Sequence, residues 1–344
     1  MPVRLRDIAE ETGISVSAVS HILNERPVSY APATRKKVRA VARRLGYGPN
    51  RIARALRGVR TGALGLITSD LSVPNEAGIV AVVESHLRAQ GYRLVIASCW
   101  REKDLFKDYL EDLLAQGVDG LILSKPEVYI RAAELEKLLP EGLPVVTIEP
   151  LAGLRASCVG VDRRKGTAAL IEHALSLGHR SYAYVGAGMN LHEQRQRAQG
   201  FQDALNARGL VWDPDRVILG VTCFDAALEV GPRLMSMRPR PTFVFGSNDL
   251  VAIGVLRSLR QSGLRVPEDV SVAGFDDLEV ARYCEVPLTT VRQPRRLLAQ
   301  KAVDLILGHI ESSGRGAQRR QQIQLMPELV VRQSVGPVPK VMDR

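Results

Sequence analysis

The sequence predicts a small all-α headpiece and hinge helix, joined to a much larger α/β body built on two parallel sheets. Three observations predict it. Of the first sixty residues thirteen are Lys or Arg and four are acidic, so that segment carries +9 of the chain's formal +10 and leaves the remaining 284 residues near neutral. Residues 4 to 24, RLRDIAEETGISVSAVSHILN, place apolar side chains at helical spacing on both sides of Gly13. From Thr61 onward short apolar runs alternate with amphipathic helical stretches, the pattern of strand-helix units in a parallel sheet.

A cationic segment attached to a neutral body is the electrostatic footprint of a nucleic-acid-binding module, because phosphate neutralisation needs Lys and Arg concentrated on one face. The alternative reading of the charge alone is a solvated basic arm. At 344 residues the chain exceeds one core of usual size and suggests two or three domains, and its 45% hydrophobic and 24% charged residues argue against disorder. No run approaches the roughly eighteen apolar residues of a membrane span, and MPVRLRDIAEETG has no apolar leader, so a cytoplasmic protein is expected. Cys99, Cys158, Cys223 and Cys284 lie far apart with no C-x-x-C spacing, which fits reduced thiols rather than disulfides or a zinc site.

In the headpiece, Leu5, Ile8, Ala9, Ile14, Val19 and Leu23 predict two short helices with a glycine turn between them. Ser15 suits the N-cap of the second, which then begins at Val16. Its outward face carries Val16, Ser17, Ser20 and His21, small or hydrogen-bonding side chains that fit flat against base edges in a major groove. A third helix from about Pro32 to Leu45 turns Val38, Val41, Ala42 and Leu45 inward and Arg35, Lys36, Lys37, Arg39, Arg43 and Arg44 outward.

The next stretch, GYGPNRIARALRG, reads as a helical switch. Pro49 starts it, Asn50, Arg51 and Arg54 suit phosphates, and Ile52, Ala53 and Leu56 would be exposed. An isolated helix this short is marginal in water, so it is expected to fold only on DNA and against a dimer mate. Leu56 is the expected apolar wedge for the minor groove. The alternative makes it a linker residue covered by the following domain.

The motifs Asp7-Ile8-Ala9, Gly13-Ile14-Ser15, Val19-Ser20-His21, Asn24, Thr34-Arg35, Gly46-Tyr47 and Pro49-Asn50-Arg51-Ile52-Ala53 resemble the headpiece and hinge of the lactose/galactose repressor (LacI/GalR) family of bacterial transcription regulators. The resemblance covers residues 3 to 60 closely and continues to about residue 334. It implies that Ser17 and His21 read bases, that Val16 touches a base or methyl group, and that Ser15, Ser20, Asn24, Thr34, Tyr47 and Asn50 hold the DNA backbone. Ala31 before Pro32 departs from the family, which often caps the third helix with Ser; one capping bond is lost, without loss of fold.

In the body, eight apolar runs are the expected strands: 63 to 68, 93 to 98, 120 to 124, 144 to 149, 156 to 161, 182 to 187, 242 to 247 and 270 to 275. Ligands of such sheets bind beyond the carboxyl ends of the strands. Asp70, Ser124, Glu149, Asp162, Asn248, Asp249, Asp276 and Asp277 lie at or close to those ends, and Arg197 on the helix after YAYVGA. The resemblance implies a periplasmic-binding-protein-like clamp of two subdomains with an effector in the cleft, touched by Arg197, Asn248 and Asp276, with Glu149, Asp162, Phe224 and Ser124 as further candidates. Carboxylates accepting from vicinal hydroxyls, with Arg and Asn as donors, suit a sugar or polyol, and Phe224 could cover an apolar sugar face. Asp249 and Asp277 read more simply as caps of the helices that follow them.

The expected organisation is a DNA-binding domain over 1–48, a hinge over 49–60, a body over 61–336 and a tail over 337–344. Within the body the first subdomain would take about 61–160 and 290–315, the second about 161–289 and 318–334. SVPNEAG departs from the family's Asn-Pro-aromatic-aromatic, placing Asn75 and Glu76 where rings would stack. The pocket is then more polar and the ligand larger, charged or amino-bearing; Trp100 either replaces the stacking surface or lies exposed or at an interface.

No catalytic constellation is legible. His192-Glu193 begins like a zincin motif, but Gln196 stands where the second His is required; there is no G-x-S-x-G elbow and no Walker A loop, and Gly186 and Gly188 give only part of a dinucleotide fingerprint. No enzyme, metal or cofactor is expected. One short reading helix is too little for a specific site, so a homodimer on a near-palindromic operator is expected, with a small-molecule effector setting the subdomain angle and thereby the hinge helices. The end VVRQSVGPVPKVMDR has two prolines and no heptad, against a tetramer through that route. The rivals are an enzyme, a solute-binding protein, a sequence-tolerant architectural DNA protein, and a regulator answering to a protein corepressor.

Overall fold

The computed structural model describes residues 3–23, 28–47, 60–100, 102–312 and 320–339. Contacts divide the chain into two compact units, 1–61 and 62–344.

Among its described residues the first unit has three helices, α1 (Leu5–Thr12), α2 (Val16–Leu23) and α3 (Pro32–Arg44). Gly13 ends α1 at φ 68°, a left-handed conformation that suits a residue without Cβ, and its amide bonds back to the Ala9 carbonyl. Ile8, Ala9, Val19, Ile22, Val38 and Ala42 form the buried core, with Tyr30, Val41, Leu45 and Tyr47 packed at its margin. Ala31 caps α3 without a side-chain hydrogen bond, as its methyl group dictates.

The body runs β1 (Ala63–Thr68), α4 (Pro74–Ala89), β2 (Arg93–Ser98), α5 (Lys103–Ala115), β3 (Leu121–Ser124), α6 (Ala132–Leu138), β4 (Val145–Ile148), β5 (Ser157–Val161) and α7 (Arg163–Ser176). It continues with β6 (Tyr182–Val185), α8 (His192–Asn206), β7 (Val217–Ile218), α9 (Phe224–Leu228), α10 (Gly231–Ser236), β8 (Phe243–Gly246), α11 (Asp249–Gln261) and β9 (Ser271–Ala273). Last come α12 (Val280–Tyr283), β10 (Thr290–Arg292), α13 (Arg295–Ser312), β11 (Gln322–Leu325) and β12 (Glu328–Val330).

Two parallel sheets result. The first has the order β11-β5-β4-β3-β1-β2 and the second β7-β6-β8-β9. Fully buried strands such as ALGLIT read as continuous apolar runs because helices cover both faces. On the first sheet, α4 and α13 enclose one core through Ile79, Val83, Leu298 and Ile306, while α5 and α6 enclose another through Phe106, Leu110 and Leu135. On the second, α11 supplies Val251, Val255 and Leu259 to one face, and α7 and α8 supply Leu170, Ile171 and Phe201 to the other. Each sheet with its helices is a lobe.

The chain passes between lobes three times, and two of the expected boundaries shift. The sequence expectation puts residues 290–292 in the first subdomain, but β10 pairs antiparallel with β12 and bridges the segment just after β9 through Asp276 and Arg292, so it belongs with the second lobe. Residues 322–325 were placed in the second, but β11 runs parallel to β5 in the first sheet, Ile323 opposite Val159. The crossings therefore follow β5, follow β10, and separate β11 from β12. Among the described residues no helix is long and apolar enough to cross a membrane.

Candidate nucleic-acid interface and effector cleft

The N-terminus of α2 is built as its sequence suggests: Ser15 Oγ accepts from the Ala18 amide at 3.3 Å and lies 3.1 Å from Ser17 Oγ. Val16 is 45% exposed and Ser17 is exposed, while Ser20 and His21 are half-buried on the same short helix. His21 Nδ1 lies 3.1 Å from the Tyr30 hydroxyl. Thr34 is half-buried in the first turn of α3, and Tyr47 packs at the margin of the core, where burial raises its phenol pKa. Three of the cations expected to face outward also brace the unit: Arg35 donates to the Val28 carbonyl at 2.9 Å, Lys37 to that of Thr12 at 2.9 Å, and Arg44 pairs with Glu11. Asn24, Asn50, Arg51, Ala53, Arg54 and Leu56, and with them the hinge expectation, lie outside the described residues.

In the body, every non-glycine residue with positive φ among the described residues sits just past the carboxyl end of a parallel strand: Trp100, Lys125, Glu149, Asp276 and Asp277. Such conformations cost about 1–3 kcal/mol each and persist where surrounding structure holds them. Four of the five carry charge. They mark the strand ends at which open α/β sheets bind ligands.

The first lobe contributes Glu76, Lys125 and Glu149. Glu76, in the first turn of α4 and 1% exposed, accepts from Thr68 at 2.9 Å and Ser124 at 2.8 Å through Oε2, while Lys125 Nζ lies 2.9 Å from Oε1. Glu149 Oε1 accepts from Arg163 at 2.6 Å. The second lobe contributes Glu193, Arg197 and Asp276. Lys125 Nζ reaches Glu193 Oε2 at 2.9 Å, and Arg197 reaches Asp276 at 3.3 Å while its guanidinium carbon stands 4.4 Å from the Phe275 ring centre. Gln293 also donates to Asp276, at 2.5 Å.

Mutual charge keeps Lys125 and Glu193 ionised against their burial. Burial disfavours the Lys125 ammonium, but Glu193 and Glu76 outweigh it and raise its pKa. Burial also disfavours the Glu193 carboxylate, yet Lys125, Arg197 and Arg163 hold it well below the usual range. Asp276 goes the other way: burial raises it despite Arg197. Burial pushes the Tyr184 phenol up to about 12, so it stays a neutral hydroxyl. Nε of Arg163 and Arg197, Oε2 of Glu149, Oε1 of Gln194, Oδ1 of Asn75 and the hydroxyls of Tyr184 and Ser247 are buried without a hydrogen-bond partner. Orphaned buried donors and acceptors are costly, and here they suit a ligand rich in hydroxyl groups.

The structure thus buries Asp276, Glu149 and Ser124 at strand ends and Arg197 on α8 beside Asp276, Ser124 being committed to Glu76. Others also make structural contacts. Asn248 is the N-cap of α11, its Oδ1 accepting from the Val251 amide at 2.8 Å; Asp249, expected to cap, instead accepts from the Leu278 amide and the Thr290 hydroxyl. Desolvation raises the Asp249 pKa well above its usual value. Asp277 is no cap either: it gathers Arg292, Arg332 and Arg282, pinning the segments around β10 and β12. Asp162 caps α7 through the Lys165 amide at 3.0 Å and lines a pocket with Arg164, His192 and Arg195. Phe224 starts α9 and is 36% exposed; Trp100 is 57% exposed and supplies no buried stacking surface.

Lys125, Arg163 and Glu193 escaped the sequence reading. Lys125 adjoins Ser124, so the strand-end rule could have included it, and Glu193 lies one helical turn before Arg197 on the same face. Among the described residues no group of His, Cys, Asp and Glu is placed to hold a metal ion.

Comparison with known proteins places these features together. Residues 4–50 match the family described as bacterial regulatory proteins, lacI family, and residues 171–335 match a periplasmic binding protein-like domain. The HTH-type transcriptional repressor PurR of Haemophilus influenzae (strain PittEE) is 30% identical over 331 residues, covering 96% of this chain and 98% of the relative. That of Photobacterium profundum is 30% identical over 337 residues, with the same shares covered. Among solved structures, the Lac repressor dimer bound to operator and the anti-inducer ONPF superposes with a TM-score of 0.84 at 28% identity, covering 98% of this chain and all of that one. The complex of the transcriptional regulator CelR with cellobiose gives 0.72 at 31% identity, covering 96% and 99%. A helix-turn-helix headpiece, a two-lobed parallel-sheet body and relatives matched along nearly their whole length have one common explanation: this chain belongs to the LacI family of bacterial regulatory proteins.

Proposed function

We propose that this repressor binds a near-palindromic operator as a homodimer and that a polyhydroxylated, sugar-like effector in the cleft governs that binding. The coarser statement needs no proposal: the chain is a DNA-binding transcriptional repressor with a small-molecule effector, not an enzyme. In the cytoplasm, α2 would read bases through Ser17 and His21, with Val16 against a base or methyl group; Ser15, Ser20, Asn24, Thr34, Tyr47 and Asn50 would hold phosphates. Functionally, 1–48 would bind DNA, 49–60 would form the hinge with Leu56 as wedge, and the body would bind effector and dimerise.

One observation carries the effector reading. The buried Arg197–Asp276 pair, with orphaned donors and acceptors around it, lies at the strand ends of one lobe while Lys125 and Glu149 come from the other. Effector contacts that differ between lobe angles would shift the hinge equilibrium, and DNA would change effector affinity by the same factor. Relatives solved with cellobiose and with ONPG support a carbohydrate. The test is a thermal-shift screen of the intact protein against sugars including cellobiose, sugar acids, polyols and nucleosides, followed by operator binding with each hit. A sugar-like compound that stabilises the protein and changes its DNA affinity supports the reading; stabilisation by compounds without hydroxyls alone refutes the sugar class. In the same assay, Leu56→Ala with unchanged operator bending and affinity would remove the wedge.

A further inference from the structure

The hydroxyl of Tyr30 lies 3.1 Å from Nδ1 of His21. His21 stands on α2, and Tyr30 lies nine residues later on the approach to α3, its ring packed at the margin of the headpiece core. The two rings are tilted by 43° with centres 6.5 Å apart, so the contact is made by the polar atoms and not by stacking. Val16 and Ser17, on the first turn of the same helix, are exposed, and His21 follows them about one turn along.

We propose that Tyr30 is a positioning residue for base readout, holding His21 in the tautomer that presents an Nε2–H donor and so selecting guanine at the base His21 reads. This rests on the reading of α2 as the base-reading helix. An imidazole nitrogen with a free lone pair is a better acceptor than a phenol oxygen, and a phenol O–H is a good donor, so the Tyr30 hydroxyl donates to Nδ1. The hydrogen bond made by one ring nitrogen sets the state of the other, which leaves the ring proton on Nε2. Nε2 lies on the side of the ring away from Nδ1 and thus away from Tyr30. A lone donor in the major groove is served best by guanine, whose edge offers N7 and O6 as acceptors. Adenine sets an amino donor beside N7, cytosine offers a donor, and thymine flanks its one acceptor with a methyl group. Without the Tyr30 hydroxyl, both tautomers and other ring rotations become accessible, and an Nε2 lone pair would repel guanine.

The experiment uses the intact protein. Preferred sites are selected from randomised duplexes with wild type, His21→Ala and Tyr30→Phe, and affinities are then measured on the selected duplex with guanine, adenine or 7-deazaguanine at the position that His21→Ala flattens. Wild type should favour guanine over adenine there by about tenfold and weaken on 7-deazaguanine. Tyr30→Phe keeps the ring and its packing; its guanine preference should fall to about twofold and its sensitivity to 7-deazaguanine should vanish, while the salt dependence of binding stays at the wild-type slope. A Tyr30→Phe variant with wild-type preference, or with equal loss of affinity on all three bases, overturns the inference. So does a wild-type preference for cytosine, adenine or thymine at that position. If His21→Ala flattens no position at all, the reading of α2 falls and this inference with it; if it flattens one that Tyr30→Phe leaves intact, only the role of Tyr30 falls.

Discussion

The Lys125 ammonium meets Glu193 Oε2 at 2.9 Å, tying the end of β3 in one lobe to the first turn of α8 in the other. The same nitrogen lies 2.9 Å from Glu76, so one cation bridges two carboxylates whose side chains are 1% and 12% exposed. Lys125→Met removes that charge and leaves both carboxylates facing each other. A loss of roughly 3–5 kcal/mol follows, read as a lower denaturant midpoint. Adding Glu193→Gln should restore part of it; strictly additive losses would show that the two groups do not interact.

Arg197→Lys keeps a cation beside Asp276 but not the planar fork. At a ligand concentration about a hundredfold above Kd, the wild type gains about 2.7 kcal/mol. The variant should show no such stabilisation by the sugar-like compound that stabilises wild type, yet bind operator normally without it. A wild-type thermal shift in the variant would take Arg197 out of the effector site.

Gly200 on α8 is packed against the backbone of α7: an added Cβ would stand 2.1 Å from the Arg164 carbonyl oxygen. Neither atom belongs to a flexible side chain, so Gly200→Ala must separate the helices, at a cost of about 1–3 kcal/mol in thermal unfolding. At Gly78 on α4 the nearest atoms lie 3.9 Å away, on the Arg295 side chain. Gly78→Ala should therefore be neutral or stabilising by up to about 1 kcal/mol through helix propensity.

His179 is 1% exposed, with Nδ1 3.0 Å from the Thr242 hydroxyl and Nε2 2.9 Å from the Gly336 carbonyl. Burial lowers its pKa below the ordinary 6.5. The unfolded chain therefore takes up a proton at a pH where the native state does not. The stability His179 contributes is whole above about pH 6.5 and is lost as pH falls toward its native pKa, by at most about 1.4 kcal/mol per pH unit. Denaturant midpoints of His179→Gln between pH 5 and 7 should be flatter than those of wild type; parallel curves would exclude His179 as the source.

Eight apolar runs became β1 to β6, β8 and β9; all but the half-exposed edge strand β2 are buried beneath helices, which leaves a continuous signature. β11 reads QIQL and β12 ELV; both are half-exposed, and the first lies at the edge of its sheet, so hydrophobicity hardly marks them. Arg197, Asp276 and Glu149 were legible through motif and strand-end position. Lys125, Arg163 and Glu193 were not, since a charged residue in a sequence looks solvated and these are buried only where two lobes meet. Asn248 and Asp249 show the limit of local rules: either could cap α11, and the hydrogen bonds from Leu278 and Thr290, distant in sequence, decide that Asp249 turns elsewhere.

The pairing of β11 with β5 also bears on synthesis at the ribosome. Four of the first lobe's strands and the whole of β5 emerge more than 160 residues before the strand that covers the β5 edge. The lobe that begins to form first is thus completed only near the end of synthesis, and until Gln322–Leu325 arrives it carries a row of unpaired backbone amides and carbonyls along Ser157–Val161. A nascent chain stalled or cleaved before residue 322 would expose a sticky strand edge, giving quality-control machinery a surface by which to recognise an unfinished repressor before it could compete for DNA.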